Sequence, residues 1–233
     1  MQAVILAAGK GTRMGIKDAP KCLLKIGNKT IIEHQIGYLR NIGCKKILVV
    51  TGYNSNKIKN TLGNSVEYIF NKNFKNSNNM YSLWKARDFI DDEFICIYGD
   101  LFFHNKILEK CVASDGDMVL VVERNLRDET MRVKIENKKI VQVNKKIDSK
   151  NTDGNFIGMA KFSKNSKNHL FQTIKELMGK GNEDAYYTLA IENLIKQGKM
   201  VSFIETEDLP WIDIDTKDDF DYVKKINKEF GGW

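Results

Sequence analysis

Short apolar runs alternate along the first half of the chain with segments whose apolar positions recur every three or four residues. "AVILAA" (3–8) is an unbroken apolar run of strand length, which predicts a strand buried on both faces. "TIIEHQIGYLRNIG" (30–43) sets Ile31, Ile32, Ile36, Leu39 and Ile42 at helical spacing and stops on glycine, which predicts a helix. The same reading gives strands at 46–52, 66–71, 93–100 and 117–123, and helices at 54–63 and 79–90. Strand, helix, strand in this rhythm predicts a mostly parallel sheet with helices on both faces, a three-layer α/β/α arrangement.

The rhythm changes after residue 123. "RVKIENKKIVQVNKK" (132–146) predicts a β-hairpin around a tight turn, and a polar stretch (146–155) leads to a strand at 156–163. Helices at 167–181 and 184–198 are each closed by glycine, a strand follows at 200–205, and 211–230 reads as a strand end feeding a C-terminal helix. There is no internal repeat and no linker rich in proline or serine. The expectation is one α/β domain over 1–233, Rossmann-like, with a small inserted β/α region (about 124–210) covering the substrate and a C-terminal segment at 211–233.

Composition narrows the function classes. A chain of 233 residues, 42% hydrophobic and 29% charged, can build one sizeable core, and no run approaches the roughly 20 apolar residues of a membrane span. The net charge of +7 rests on lysines spread along the whole length, which predicts a solvated surface with a field favouring small anionic ligands. Arginines are few and no basic run alternates with aromatics, so nucleic acid is not an expected partner. Cys22, Cys44, Cys96 and Cys111 show no close pair and no metal-type spacing, so free buried thiols in a reducing compartment are expected. The apolar stretch from Ala3 to Ala8 is too short for a signal peptide and has no basic region before it. A cytoplasmic monomer or homodimer, without membrane insertion, is the expectation.

The chemistry concentrates in "ILAAGKGTRMG" (5–15), a strand running into a loop of three glycines, a lysine and an arginine. A P-loop needs the pattern G-x-x-x-x-G-K-[S/T]; counting Gly9 as the first position, the sixth is Met14, so that pattern fails. A dinucleotide fingerprint accepts Gly9 and Gly11, but Met14 stands in the third glycine's place, and the second strand ends in Gly52 and Tyr53 where a ribose-binding acid belongs. A third pattern fits. "LAAGKGTRM", then Pro20-Lys21, then Thr30-Ile31-Ile32, resembles the N-terminal signature of the nucleotidyltransferases that make nucleoside-diphosphate sugars and alcohols. "YGD", ending on Asp100, is similar to that family's metal-binding aspartate, and "WIDIDTKDDF" (211–220) to its late acidic segment. "NSNNMYSLWKAR" (76–87) resembles the N-N-x-x-S-L segment of the bacterial phosphocholine cytidylyltransferases, and "FIGMAKFS" (156–163) is similar to the family's G-x-[A/x]-x-F strand that closes over the acceptor.

The resemblance implies a Mg²⁺-dependent cytidylyltransferase that joins CTP to a small phosphorylated acceptor and releases pyrophosphate, with the nucleotide in the part up to about residue 123. Phosphocholine leads among acceptors, ahead of phosphoglutamine and the 2-aminoethyl- and 2-hydroxyethylphosphonates. A sugar-1-phosphate nucleotidyltransferase and a non-catalytic nucleotide sensor are the alternatives. Catalysis is expected from Arg13, Lys21 and Asp100. Gly9 and Gly11 let backbone N–H groups approach a triphosphate, Arg13 can fork onto its outer phosphates, and Lys21 is placed by the resemblance near the reacting phosphates. Leu6, Ala7, Ala8, Thr12, Gly52, Tyr53, Asn79 and Ser82 complete the expected nucleotide site.

Asp100 is the first-choice Mg²⁺ ligand, joined by Asp213 and Asp215; Asp218 and Asp219 are expected to charge the first turn of the last helix. Asp213 and Asp215 are expected to point to opposite faces of the strand end, so that one of them reaches the ion directly. Asn78 and Asn79 can read a pyrimidine edge or cap the helix beginning near 79. For the acceptor, Lys21, Tyr81, Glu123, Gly158, Tyr186 and Trp211 are expected. Tyr81, Trp84, Tyr186, Tyr187 and Trp211 could cage a quaternary ammonium, although Trp84 also reads as core, and Glu123, Glu183, Asp184 or Glu192 could supply its acid. The histidines at 34, 104 and 169 suit no triad or metal site.

Overall fold

A computed structural model describes residues 1–11, 19–127 and 131–226. Its centre is β1 (Gln2–Ala7), every residue of which is buried. Val4 and Leu6 join the core on one face of the sheet while Ala3, Ile5 and Ala7 join the core on the other. This is why the run is continuously apolar rather than alternating. β2 (Lys25–Ile26) and β3 (Lys29–Thr30) form a separate two-stranded ribbon, while β1 is flanked in parallel by β4 (Lys46–Thr51) and β6 (Phe94–Tyr98), and β4 by β5 (Glu67–Phe70).

The crossovers are α1 (Ile31–Asn41), α2 (Ser55–Leu62) and α3 (Asn79–Lys85). The chain steps from β1 to β4 to β5 in one direction, then returns to lay β6 on the other side of β1. That reversal leaves a crevice at the carboxyl ends of β1 and β6, the position where open α/β sheets take their ligands.

Beyond β6 the sheet becomes mixed. β11 (Gly154–Phe162) runs antiparallel to β6 and also pairs with β8 (Met118–Glu123) and β9 (Met131–Glu136). β9 forms the expected hairpin with β10 (Lys139–Asn144), and β12 (Ser202–Glu205) adds in parallel to β8. β11 is therefore an inner strand of the main sheet, and Met131, Lys145, Phe156, Ile157 and Tyr186 of the region after residue 123 line the crevice. The face carrying Val4 and Leu6 is covered by α3, α5 (Lys164–Met178) and α6 (Thr188–Lys196), which supply Met80, Leu83, Leu170, Ile174, Ile191 and Leu194.

The apolar pattern missed residues 101–113, which hold β7 (Leu101–Phe103) and α4 (Asn105–Ala113). α4 is short, and Ile107, Leu108 and Cys111 are its buried residues, with Val112 packed beside them, too few repeats to stand out. β7 pairs antiparallel with β13 (Trp211–Asp213), setting Asp213 opposite Leu101. A third apolar cluster (Leu24, Ile26, Ile31, Phe102, Ile212, Ile214 and Val223) fastens α7 (Lys217–Ile226) beside the crevice. No helix among the described residues is long and apolar enough to cross a membrane. All four cysteines are free and buried, and burial holds the thiols of Cys22, Cys96 and Cys111 far above the ordinary range.

Candidate active site

A cleft of about 810 Å³ opens at the carboxyl ends of β1 and β6. Leu6, Ala7, Ala8, Gly9 and Gly11 form one wall, and Lys21, Asp100, Asp213 and Asp215 line it together. The three aspartates come from segments more than a hundred residues apart. The β7–β13 pairing and a hydrogen bond from the Ile214 N–H to the Asp100 carbonyl (3.2 Å) carry the late acids to the early one. One carboxylate oxygen from each lies within 4.8 Å of the others. The expectation that Asp213 and Asp215 diverge is corrected here: an extended chain returns to the same face after two residues, and both carboxylates join the group with Asp100.

Lys21 stands among these acids. Its ammonium donates to Asp215 Oδ1 and lies 3.5 Å from Asp100 Oδ2, with only 11% of the side chain exposed. Burial works against the charge, but Asp100, Asp215 and Asp213 outweigh it and hold the pKa above the ordinary lysine value. Asp100 is pushed upward by burial and by the Asp215 charge, with Lys21 opposing. Gly11 makes the lysine's position possible: at φ +61°, a β-carbon there would stand 2.7 Å from Lys21 Cγ. Pro20 sets the chain direction into the short turn at Lys21–Leu23.

Two polar side chains fix the acidic segments. Gln35 on α1 donates to the carbonyls of Tyr98 (2.9 Å) and Leu101 (2.6 Å), clamping the turn that carries Asp100. Asp219 accepts from the backbone N–H groups of Asp215 (3.0 Å) and Thr216 (2.7 Å), while Thr216 accepts from the Asp219 N–H (3.2 Å). The cap of α7 is thus Thr216 and Asp219, neither of the two metal-site candidates.

The remaining expected residues divide. Asn79, Ser82, Tyr186 and Trp211 line the cleft. Asn78 caps α3 through its own side chain, and the Asn79 carbonyl oxygen accepts from the Tyr187 N–H (2.8 Å), so both asparagines brace the wall they belong to. Gly52 and Tyr53 do not line the cleft. A β-carbon at Gly52 would stand 2.5 Å from the Ala8 carbonyl, to which the Tyr53 N–H donates (3.1 Å); the pair supports the loop from behind. Tyr81 is also outside the lining. Gly158 lies under a wall residue, since a β-carbon there would meet the Tyr98 ring at 2.5 Å.

Glu123 is buried beneath the wall, accepting from Trp211 Nε1 (2.9 Å) and the Thr206 hydroxyl (3.1 Å). Tyr187 is fully buried in the core and Trp84 packs against Phe171, so no five-ring cage forms. Thr12 and Arg13 lie outside the described residues.

Sequence reasoning missed Asn71, Phe74, Tyr98, Arg127, Lys145 and Phe156 in the lining. Asn71 holds Ser82 by a hydrogen bond (3.1 Å). The Arg127 guanidinium lies 4.0 Å from the Trp211 ring centroid, and Lys145 Nζ lies 4.8 Å from that of Tyr186. Nothing in a lysine-rich sequence separates these two cations from the solvated ones.

Known proteins share this chain's sequence pattern and its fold. Residues 3–180 match the family model described as the MobA-like NTP transferase domain. The chain is 26% identical to the CTP:phosphoglutamine cytidylyltransferase of Campylobacter jejuni, over 95% of this chain and 98% of the relative. It is 32% identical to the choline-phosphate cytidylyltransferase of Streptococcus pneumoniae, over 45% of this chain and 47% of the relative. Among solved structures, the inositol-1-phosphate CTP transferase of T. maritima superposes with a TM-score of 0.83 at 19% identity, covering 100% of this chain and 97% of that one. At that identity the likeness shows the fold.

Proposed function

The chain belongs to the MobA-like NTP transferase family and is a nucleotidyltransferase, and on that premise we propose that it transfers CMP from CTP to a small phosphorylated acceptor. The observation that carries the reading is the meeting of Lys21 with Asp100, Asp213 and Asp215 at the mouth of a glycine-lined cleft. CTP is favoured over other triphosphates because the relative that matches this chain nearly end to end is named for CTP.

Three carboxylates within reach of one point, all oxygen donors, suit a hard divalent cation such as Mg²⁺. Asp100 with Asp213 and Asp215 would hold it, and its charge would offset that of the triphosphate. The rest follows from the chain itself. Backbone N–H groups at Gly9 and Gly11 receive phosphate oxygens where no side chain intervenes. Lys21 draws the acceptor phosphate toward the α-phosphorus and stabilises charge as it shifts toward the leaving group. The acceptor phosphate is already largely dianionic at neutral pH, its second pKa being about 6, so an oxygen of it attacks without a protein base. The bond from the α-phosphorus to the bridging oxygen breaks, and pyrophosphate departs.

The test is product identification with CTP, UTP, GTP and ATP, each against a panel of phosphorylated alcohols, amino acids, phosphonates and sugar-1-phosphates. The reading expects a CMP-linked product by mass spectrometry. A product formed only from UTP and a sugar-1-phosphate would overturn it.

A further inference from the structure

Among the described residues, the acceptor side of the cleft presents cations over its aromatic rings. Trp211 and Tyr186 are the two expected acceptor aromatics that line it, and each already has a protein cation over its ring. Lys145 is also 3.3 Å from the Tyr186 hydroxyl oxygen. The acids expected beside them are elsewhere. Glu123 is held under Trp211, Glu183 accepts from Asn73 (3.0 Å), Glu192 accepts from Asn144 (2.6 Å), and none of these, nor Asp184, lines the cleft. Among the described residues, the lining carboxylates are Asp100, Asp213, Asp215 and Asp219, all in the group around Lys21 or the α7 cap.

Resting on the reading of function above, we propose that the acceptor carries a carboxylate remote from its phosphate, received by Arg127 and Lys145 on the faces of Trp211 and Tyr186. A cationic headgroup stacked on these rings would sit beside both protein cations, among like charges. A carboxylate meets two cations instead, and a guanidinium lying over a ring donates in its own plane, the geometry that pairs with two carboxylate oxygens. The reach agrees. Trp211 and Asp213 are two residues apart on β13, so they share a face at a separation of about 7 Å. That is the reach of a short phosphorylated amino or hydroxy acid whose phosphate lies at the carboxylate triad.

The test measures pyrophosphate release from CTP with paired acceptors: phosphoserine against phosphoethanolamine, phosphoglutamine against its decarboxylated counterpart, and phosphocholine alone. The carboxylate-bearing member of a pair is expected to have the higher kcat/KM. Arg127→Met and Lys145→Met should each shrink that preference by roughly 10- to 100-fold, the range of one charge-assisted hydrogen bond. The loss should fall on the KM for the acceptor, not on that for CTP. Preference for phosphocholine or for the decarboxylated members, or a preference unmoved by both substitutions, overturns the proposal and leaves CMP transfer standing. Absence of pyrophosphate from CTP with every acceptor overturns the reading of function, and the carboxylate site with it.

Discussion

At the residue scale, Lys21 does two things that pull in opposite directions. It neutralises Asp100 and Asp215 in the free protein, and it stands where a divalent cation would be held by the same acids. Lys21→Met should therefore slow turnover by about 10²–10³, as loss of a preorganised charge does. The same substitution should enlarge the rise in Tm that Mg²⁺ produces, because the cation then meets uncompensated carboxylates; thermal unfolding with and without Mg²⁺ checks it. A smaller Mg²⁺ shift than in the unaltered protein would count against this arrangement.

His34 gives a second residue-scale test. It is 3% exposed, its Nε2 contacts the Ile26 carbonyl oxygen (2.9 Å), and its ring meets Phe102 edge-on. Burial holds its pKa below the ordinary 6.5, against that hydrogen bond. The unfolded chain thus binds the proton more readily, and the stability owed to neutral His34 is present above pH 6.5 and lost as pH falls through the folded-state pKa. Denaturant unfolding between pH 7.5 and 5 should show this loss, and His34→Gln should flatten it. Of the site itself, Lys21 and the three aspartates were legible because their spacing is tied to a family pattern. Arg127 and Lys145 were not, since an exposed cation acquires meaning only when a ring lies beneath it.

At the element scale, the terminal contacts carry the positions of the site residues. α3 illustrates this. Its N-terminal N–H groups at Asn78 and Met80 donate to the carbonyls of Glu183 and Ala185, and the Asn79 side chain takes the Tyr187 N–H. Residues 184–187 are thereby held in a turn, and α6 begins at Thr188 rather than at the expected 184. Helical spacing was visible in the sequence; the long-range bonds that trim the helix were not.

Lys161 is similar: buried on β11, its ammonium donates to the carbonyls of Val112 and Ser114 at the end of α4. Lys161→Met leaves those carbonyls without a donor and should cost about 1–3 kcal/mol of stability by denaturant unfolding, with the acceptor KM unchanged. Asp219→Ala removes the cap of α7 and the support of the Asp215 N–H. It should lose about 1 kcal/mol and also weaken the apparent affinity for Mg²⁺, which a purely structural cap would not affect.

At the scale of the whole molecule, the parallel half of the sheet follows from the βαβ rhythm, and the crevice follows from the reversal between β5 and β6. The mixed half was less legible. A strand's apolar run does not state which neighbour it will take, and β11 joins β6, β8 and β9 across 21 to 68 residues of chain separation by pairing alone. The account comes together at one point, where the early loop, the β6 turn and the C-terminal segment meet. Its most direct test is the initial rate of pyrophosphate release from CTP and an accepted phosphorylated substrate, compared between the unaltered protein and Asp100→Ala. A fall of about 10²–10³ in turnover, with folding retained, is the result expected of a carboxylate that anchors the reacting charges. Release at an undiminished rate in Asp100→Ala would contradict the site.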